Sequence, residues 1–273
     1  MIILIMPINS LLNLLETSKK SSTQRYPKLM NSDGDVSDLD IVRNPPKTLE
    51  EMRKVQLKLA KLVSLEGEFK AKHVLGVDQA FVGDDVISAC VVLDKDMNVV
   101  DRVVHVERTE VPYIPTYLMF REGSSAVNAV KKAVNALNAD PDEICIMVDG
   151  SGIAHPRRCG LATFIGLATG IQSVGVTKSR LYGYYREPED TMEANPLIDE
   201  VSGEVIGYAV KTCKRCRPIF VSPGHRISPQ EALKSALETL RGYKLPEPIR
   251  MAHILATEAR KKVKAGKTLS DFF

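Results

Sequence analysis

The sequence contains no tryptophan, and aromatic residues make up only 5% of its 273 residues. We therefore do not expect a fold that depends on aromatic stacking. Its apolar opening, MIILIMP, is far shorter than the roughly 20 residues that a membrane-spanning helix needs. It also lacks the basic leader of a secretory signal. We expect no association with a membrane.

Cysteine is scarce as well, with five residues at positions 90, 145, 159, 213 and 216. The odd number, and the position of Cys90 and Cys145 inside apolar strand-like runs, predict reduced thiols and a cytoplasmic protein. Cys213 and Cys216 form a CxxC pair. A single pair of this kind cannot fill a tetrahedral zinc site.

The remaining composition is typical of a globular protein, with 44% hydrophobic and 26% charged residues. The net charge of +3 is compatible with a nucleic-acid partner but does not by itself indicate one. A Ser/Lys patch followed by the acidic segment SDGDVSDLD predicts that residues 1–45 form a poorly ordered extension. An alternative is that translation starts at Met30. We expect a folded domain at 46–262 and a flexible tail at 263–273.

Hydrophobic periodicity predicts alternating strands and helices. Thr48 and Glu51 form a capping box that opens the first helix. Three strand-like runs follow at 74–78, 86–94 and 99–108, and their turns predict an antiparallel meander. A second capping box, at Ser228 and Glu231, opens a helix from 229 to about 240. The other expected elements are helices at 124–137, 157–170 and 248–262, strands at 144–148 and 172–179, and a hairpin at 205–211 and 218–224. We read 180–202 as a loop.

This order of elements predicts an α/β fold in which a mixed sheet is flanked by helices. In such sheets, sites lie beyond the carboxyl ends of the strands. Asp78 and Asp149 each follow an apolar strand, so both are expected at that edge.

Three carboxylates are candidates for metal binding: Asp78, Asp149 and Glu122, which follows the apolar stretch YLMF. Each alone is commonly a turn or cap residue. Three converging carboxylates would repel one another unless a cation joined them. Oxygen ligands select Mg²⁺ or Mn²⁺. Such metals suit phosphodiester hydrolysis, because they activate water and stabilise the attacking and leaving oxygens.

Several basic residues are candidates for the same chemistry. His253 is either a packed histidine at the edge of the core or a fourth metal ligand. Lys178, at the end of a strand, is either solvated or binds the scissile phosphate. His155, Arg157 and Arg158 are expected to face a polyanionic backbone.

The segment VPYIPTYLMFREG at 111–123 contains two prolines that hold Tyr113 and Ile114 on a stiff turn. One interpretation is a rigid surface connection. The other is an apolar wedge that prises a base out of a duplex, at a cost of a few kcal/mol.

Six segments in register resemble the endonuclease V family: VLGVDQAF, PYIPTYLMFREG, VDGSGIAHPRRCGLA, SVGVTKSRL, VSPGHRIS and GYKLPEPIR. The resemblance extends over roughly residues 48–262. It implies a ribonuclease H-like fold and a Mg²⁺-dependent nuclease, in which Mn²⁺ substitutes. It further implies recognition of inosine or deoxyinosine and cleavage of the second phosphodiester bond on the 3′ side.

The resemblance also implies roles for single residues. Asp78, Glu122 and Asp149 match the metal-binding and catalytic acids, and His253 falls where the family has a further His or Asp. Lys178 matches the phosphate-binding lysine.

The same resemblance implies a pocket for the base. Tyr113, with Ile114, matches the wedge, and His155 matches the histidine of the glycine-rich loop. Backbone groups at Leu118, Gly150 and Gly175 correspond to the hypoxanthine pocket. Three positions depart from the family pattern and bear on base selectivity: Thr116 where Gly is common, Ser151 where a larger polar residue is common, and Thr177 where Ala is usual.

The final segment, GKTLSDFF, resembles the clamp-binding box of archaeal and eukaryotic replication proteins. Leu269, Phe272 and Phe273 would be the anchors that dock into a sliding clamp, although Gly266 stands where that box usually has Gln. The alternative is a frayed basic tail. The tail also indicates an archaeal source.

These observations predict a monomeric, metal-dependent endonuclease of DNA repair that acts on deaminated purines. The alternative is an inosine-specific ribonuclease or a structure-directed nuclease of the same fold, because DNA and RNA are distinguished by contacts to the 2′-OH. A non-catalytic nucleic-acid binder would have no reason to carry all three acids.

Overall fold

The computed structural model describes residues 45–266. The predicted extension, apart from Pro45, and the clamp-binding residues Leu269, Phe272 and Phe273 lie outside this range. Among the described residues, no helix is both long enough and apolar enough to cross a membrane.

The three runs of β-branched residues form the predicted meander. Strand β1 is His73–Val82, β2 is Asp85–Asp94 and β3 is Val99–Arg108. Strand β2 pairs antiparallel with β1 on one side and with β3 on the other. Strands β1 and β2 are buried along nearly their whole length because helices cover both faces of the sheet, whereas β3 forms one edge and is more exposed.

The other helices and strands complete a mixed α/β fold, as predicted. They are α1 Leu49–Ala60, α2 Leu118–Leu137, β4 Ile144–Asp149, α3 Leu161–Thr169, β5 Gln172–Thr177, β6 Ala194–Ile198, β7 Val205–Val210, β8 Ile219–His225, α4 Pro229–Glu238 and α5 Glu247–Lys264. The eight strands lie in the order β3-β2-β1-β4-β5-β8-β7-β6. Strands β1, β4 and β5 are parallel, and the other neighbours are antiparallel.

Helices cover the two faces unequally. Helices α1, α2 and α3 pack on one face around a core that includes Leu75, Val130 and Phe164. Helices α4 and α5 pack on the other face. Helix α5 comes very close to β1. A Cβ at Gly76 would lie only 1.9 Å from the carbonyl oxygen of Pro248. Glycine at this position therefore sets how α5 docks on the sheet.

Helix α2 begins at Leu118, six residues before the predicted start. The predicted helix starts at Ser124, directly after Gly123. The helix instead continues through Gly123 because Phe164 packs against it, and a Cβ at Gly123 would lie 2.5 Å from that ring. Glu122 is thus a helical residue.

Two further predictions are corrected. The span 180–202 contains β6, whose Pro196 is tolerated because β6 lies at the edge of the sheet. The second capping box is only half formed. The Ser228 hydroxyl accepts from the Glu231 backbone N–H, but the Glu231 carboxylate accepts from the Phe69 backbone N–H at 2.8 Å.

The cysteines divide into two groups. Cys90, Cys145 and Cys159 are free, as predicted, and all three are buried. Cys213 and Cys216 form a disulfide, so the prediction of reduced thiols is wrong for this pair.

Candidate active site

The parallel strands bring the predicted acids to one edge of the sheet. Pairing between β1 and β4 runs as far as Val77 and Val148, and Asp78 and Asp149 are the next residues on each strand. Asp78 does not end its strand, because β1 continues to Val82 along β2. The parallel pairing with β4 is what ends there.

Asp78, Asp149 and His253 form a candidate metal site. Their potential ligand atoms all lie within 4.8 Å of one another. His253 Nδ1 lies 2.7 Å from Asp78 Oδ2, and the Gln79 backbone N–H donates to Asp78 Oδ1 at 2.8 Å. Helix α5 supplies His253 because it docks closely on β1 at Gly76. Glu122, which we also predicted to bind metal, is not part of this three-residue cluster.

The acids of this edge destabilise one another when they are charged. Burial and the charge of Asp149 raise the pKa of Asp78, against the opposing hydrogen bonds from His253 and Gln79. Burial, with the charges of Asp78 and Asp149, raises the pKa of Glu122 to about 7. Glu122 is therefore electrostatically coupled to the cluster. A cation between these groups would offset both burial and repulsion, so the residues fit a divalent metal.

Lys178 lies one residue beyond β5, and its Nζ is 2.5 Å from Asp149 Oδ2. The lysine side chain is partly exposed, with a relative accessibility of 44%, whereas that of Asp149 is 17%. The predicted juxtaposition of lysine and carboxylate is present. In this arrangement, the ammonium supplies the positive charge beside Asp149.

A cavity of about 100 Å³ lies next to this edge on the α1–α2–α3 side. Its lining consists of Gln56, Tyr113, Pro115, Thr116, Leu118, Met119, Gly150, Ser151, His155, Gly160, Leu161 and Leu181. Four predicted substrate-binding residues are in this set, and Ile114 and Gly175 are not. Gly175 instead lets the 150–152 loop approach β5, since a Cβ there would lie 2.4 Å from the Gly150 carbonyl oxygen.

Thr116 is the most heavily bonded residue of the cavity wall. Its carbonyl oxygen accepts from Gln56 Nε2 at 3.0 Å, from His155 Nε2 at 2.8 Å and from Arg157 Nη2 at 2.8 Å. Its φ of 68° lies in the left-handed region, which favours glycine. These hydrogen bonds hold a threonine in a conformation that favours glycine.

Sequence reasoning missed Gln56. It lies on the apolar face of α1 and is buried, with a relative accessibility of 1%. Its amide also donates to the Cys159 carbonyl at 3.0 Å and accepts from Arg157 Nε at 2.5 Å. A polar residue among the periodic apolar positions of α1 was the signal that could have identified it.

His155 is neutral and has a defined tautomer. Its Nδ1 accepts from the Arg157 backbone N–H at 3.1 Å, so its Nε2 carries the proton that is donated to Thr116. Burial lowers the pKa of His155 to about 4. His155 therefore shapes the cavity wall as an uncharged donor.

The two arginines after His155 do not face outward as predicted. Arg157 reaches into the cavity wall and stacks on the Tyr117 ring, with 4.2 Å from the guanidinium carbon to the ring centroid. Arg158 pairs with Asp199 at 2.9 Å and with Glu204 at 2.7 Å. Both guanidinium groups are occupied by intramolecular contacts, so the expectation that they contact phosphates is not supported.

Comparison with known proteins gives a consistent result. A family model described as Endonuclease V matches residues 57–254. Endonuclease V of Archaeoglobus fulgidus is 50% identical over 219 residues, which cover 79% of this chain and 95% of that protein. Endonuclease V of Geotalea uraniireducens is 39% identical over 225 residues, covering 82% and 93%.

Solved structures agree with the sequence comparison. Endonuclease V from Streptomyces avermitilis has a TM-score of 0.70 and 35% identity, covering 80% of this chain and 96% of that one. The catalytic domain of human endonuclease V has a TM-score of 0.72 and 27% identity, covering 81% and 99%. Endonuclease V from Ciona intestinalis, solved with DNA containing an inosine followed by a ribo-adenosine, has a TM-score of 0.66 and 25% identity, covering 80% and 100%.

Proposed function

Because the chain belongs to the endonuclease V family, we propose that this nuclease, which acts on deaminated purine lesions, uses a divalent metal to hydrolyse the second phosphodiester bond 3′ to inosine or deoxyinosine. The observation that carries the proposal is the cluster of Asp78, Asp149 and His253 at the edge of the sheet where the parallel pairing of β1 and β4 ends. The adjoining cavity supports a site for the flipped base.

The metal would be held by Asp78, Asp149 and His253. Two carboxylates and one imidazole are compatible with Mg²⁺ and with Mn²⁺. When bound, such an ion activates water and stabilises charge on the attacking and leaving oxygens. The contact of His253 Nδ1 with Asp78 Oδ2 at 2.7 Å holds the imidazole beside that carboxylate.

Glu122 and Lys178 act beside this cluster. Glu122 is buried and electrostatically coupled to Asp78 and Asp149, so we assign it to the catalytic acids. Lys178 offers a cation next to Asp149. We assign its ammonium to the scissile phosphate, whose negative charge increases in the transition state.

The cavity and the wedge account for recognition of the lesion. Leu118, Leu161 and Met119 give it apolar walls that suit the faces of a purine. Tyr113 is 67% exposed at its rim, where an aromatic ring can stack in the space left by a flipped base. Ile114 is assigned to the same wedge because it is the next residue of the stiff turn.

The test is cleavage of matched oligonucleotides that carry deoxyinosine or adenine at one position. We expect cleavage of the deoxyinosine strand with Mg²⁺ or Mn²⁺ and none with a chelator. Asp149→Ala should lower the turnover by at least about 10³-fold, because it removes a ligand from the metal that stabilises the transition state. Binding of the deoxyinosine strand in Ca²⁺ should persist.

Asp190→Ala is the matched control, since Asp190 is an exposed acid in the loop before β6. It should cleave at the wild-type rate. Near-wild-type turnover of the Asp149 variant, or equal cleavage of both strands by the wild type, would refute the proposal.

The same assay decides between DNA and RNA. The Ciona relative was solved with a ribo-adenosine after the inosine, which makes the sugar at that step the position to vary. Strands with deoxyribose or ribose there, and all-RNA strands with inosine, distinguish a DNA-repair nuclease from an inosine-specific ribonuclease. Unmodified branched or looped strands test the structure-directed alternative.

A sliding clamp is the proposed protein partner, through Leu269, Phe272 and Phe273. This part of the proposal rests on the sequence resemblance of the tail, because these residues lie outside the described range. Every residue assigned to catalysis lies within 78–253, so tethering and cleavage are separable functions.

A further inference from the structure

A turn rich in lysine and arginine joins β7 to β8. Residues 211–217 read KTCKRCR, with four cations in seven positions. Phe220 of β8 pairs with Thr177 of β5, and Ile219 pairs with Val210 of β7. The turn therefore lies at the same edge of the sheet as Lys178, which directly follows Thr177.

The strand order gives the distance from the metal cluster. Strand β8 is two positions from β4, which ends in Asp149, and β7 is three positions away. Neighbouring strands are about 4.8 Å apart, so the turn lies about 10–15 Å along the edge from Asp149. Successive nucleotides of a duplex strand rise about 3.4 Å. For a strand that runs along this edge, the turn is level with phosphates about three or four nucleotides from the metal cluster.

Among the described residues, the cations of the turn have no counter-charge. Lys214, Arg215 and Arg217 are exposed, and within residues 45–266 no acidic side chain forms an ion pair with them. By contrast, Arg158, Arg186, Arg226 and Arg250 each pair with a carboxylate. Three exposed cations this close together form a positive patch that attracts a polyanion.

The turn is also held in place. A disulfide joins Cys213 to Cys216 across Lys214 and Arg215. The Thr212 hydroxyl donates to the Lys244 carbonyl at 2.7 Å, which ties the turn to the segment between α4 and α5. Binding a ligand to a fixed turn costs less conformational entropy than ordering a flexible one.

We propose that Lys214, Arg215 and Arg217 form a second contact with the nucleic-acid substrate, on the phosphates of the strand or duplex that flanks the cleaved bond. This inference rests on the proposed function, since it extends the substrate path from the metal cluster across Lys178. The three side chains contact phosphates and not base edges, so this contact does not depend on the base sequence. It holds the flank and sets affinity, whereas the metal cluster sets turnover.

The test replaces all three residues together: Lys214→Ser, Arg215→Ser and Arg217→Ser. The matched control replaces three exposed cations away from this edge: Lys61→Ser, Lys95→Ser and Arg102→Ser. Binding of a deoxyinosine duplex is measured by fluorescence anisotropy in EDTA at several salt concentrations. We expect the slope of log K against log salt to fall by about 0.9 for each phosphate that the variant no longer neutralises, and to be unchanged in the control.

Kinetics give a second readout. The turn variant should show a KM raised on the order of tenfold with kcat unchanged. Shortening the substrate on one flank should remove this difference between wild type and variant, and shortening the other flank should preserve it. An unchanged salt slope and KM in the turn variant, or equal losses in the control triple, would overturn the inference.

The two proposals fail in different ways. If the wild type does not cleave inosine strands, the proposed function fails, and the salt slope on unmodified duplex still measures the contact made by the turn. If the wild type cleaves and the turn variant matches it in affinity and KM, only the inference fails.

Discussion

At the scale of single residues, exposure separates those that act on the substrate from those that hold the pocket. Tyr113 projects from a stiff turn with most of its surface in solvent, whereas Gln56 and His155 are buried and bond the same carbonyl. Truncating Tyr113 should therefore change recognition without unfolding the protein. The buried residues cannot be separated from stability in this way.

Tyr113→Ala should lower the preference for inosine over adenine by about 5- to 150-fold, which corresponds to the loss of about 1–3 kcal/mol of base stacking. The unfolding midpoint should stay near that of the wild type. The measurement is kcat/KM on the two strands. Tyr184→Ala, which also truncates an exposed tyrosine, is the control, and an unchanged preference in Tyr113→Ala would exclude the wedge.

His225 predicts how stability depends on pH. Burial, with the nearby charge of Arg226, lowers its pKa from an ordinary value of 6.5 to about 4. As pH falls, the unfolded chain takes up this proton before the folded chain does. The free energy of unfolding that His225 contributes is complete above about pH 6.5 and decreases by about 3 kcal/mol towards pH 4.

His225→Gln removes the pH-dependent contribution of this histidine to stability. It keeps an acceptor for the Ser64 backbone N–H, which lies 3.3 Å from Nδ1 in the wild type. Urea unfolding between pH 7 and pH 4 should show a shallower loss of stability in the variant. His155 contributes the same sign of dependence in both proteins. Parallel pH profiles for wild type and variant would contradict the assignment.

At the scale of elements, sequence patterns predicted what lies inside a helix or strand better than where it begins. The meander and the β7–β8 hairpin follow from alternation and turn residues. The start of α2 was not predicted correctly. Glycine disfavours a helix in the local sequence, whereas in the fold Gly123 is a helical residue that packs against Phe164. Strand β6 was missed because Pro196 argues against a strand unless its place at the sheet edge is known.

The docking of α5 on β1 gives a prediction at this scale. Gly76→Ala places a methyl carbon 1.9 Å from the Pro248 carbonyl oxygen, so α5 must move. We expect destabilisation of about 3 kcal/mol or more. Mn²⁺ affinity should also weaken, since His253 is carried by the same helix.

Gly203→Ala is the comparison for this variant. Gly203 has a φ of 73°, and no atom lies within 4 Å of the place where the new methyl group would stand, so only backbone strain of about 1 kcal/mol is expected. Equal stability losses in the two variants, or unchanged Mn²⁺ affinity in Gly76→Ala, would show that the close approach does not position His253.

At the scale of the whole molecule, the order of six motifs identified the family and most of the candidate site. Asp78, Asp149 and Lys178 lie at one edge of the sheet as predicted, because β1, β4 and β5 are parallel, and helix α5 brings His253 to the same edge. The bonds around Thr116 were not predictable, since they join Gln56, Thr116 and Arg157 across about a hundred positions of sequence. The same applies to the inward direction of Arg157.

The tail gives the prediction at this scale. Deleting residues 269–273 should leave cleavage of short deoxyinosine strands unchanged and abolish stimulation by a clamp loaded on circular DNA. A peptide of residues 262–273 should bind the clamp with micromolar or weaker affinity, because ordering a flexible segment offsets much of the burial of three apolar anchors. Calorimetry that gives no heat at high micromolar concentration would contradict this role.

The contact between His253 and Asp78 joins positions 175 residues apart in sequence. During synthesis, Asp78 and Asp149 leave the ribosome well before α5, which is the last helix of the described residues. A nascent chain therefore has two of its three cluster residues but cannot close the site until α5 docks on β1. On the proposed function, the metal cluster is therefore complete only when translation of the domain is almost finished.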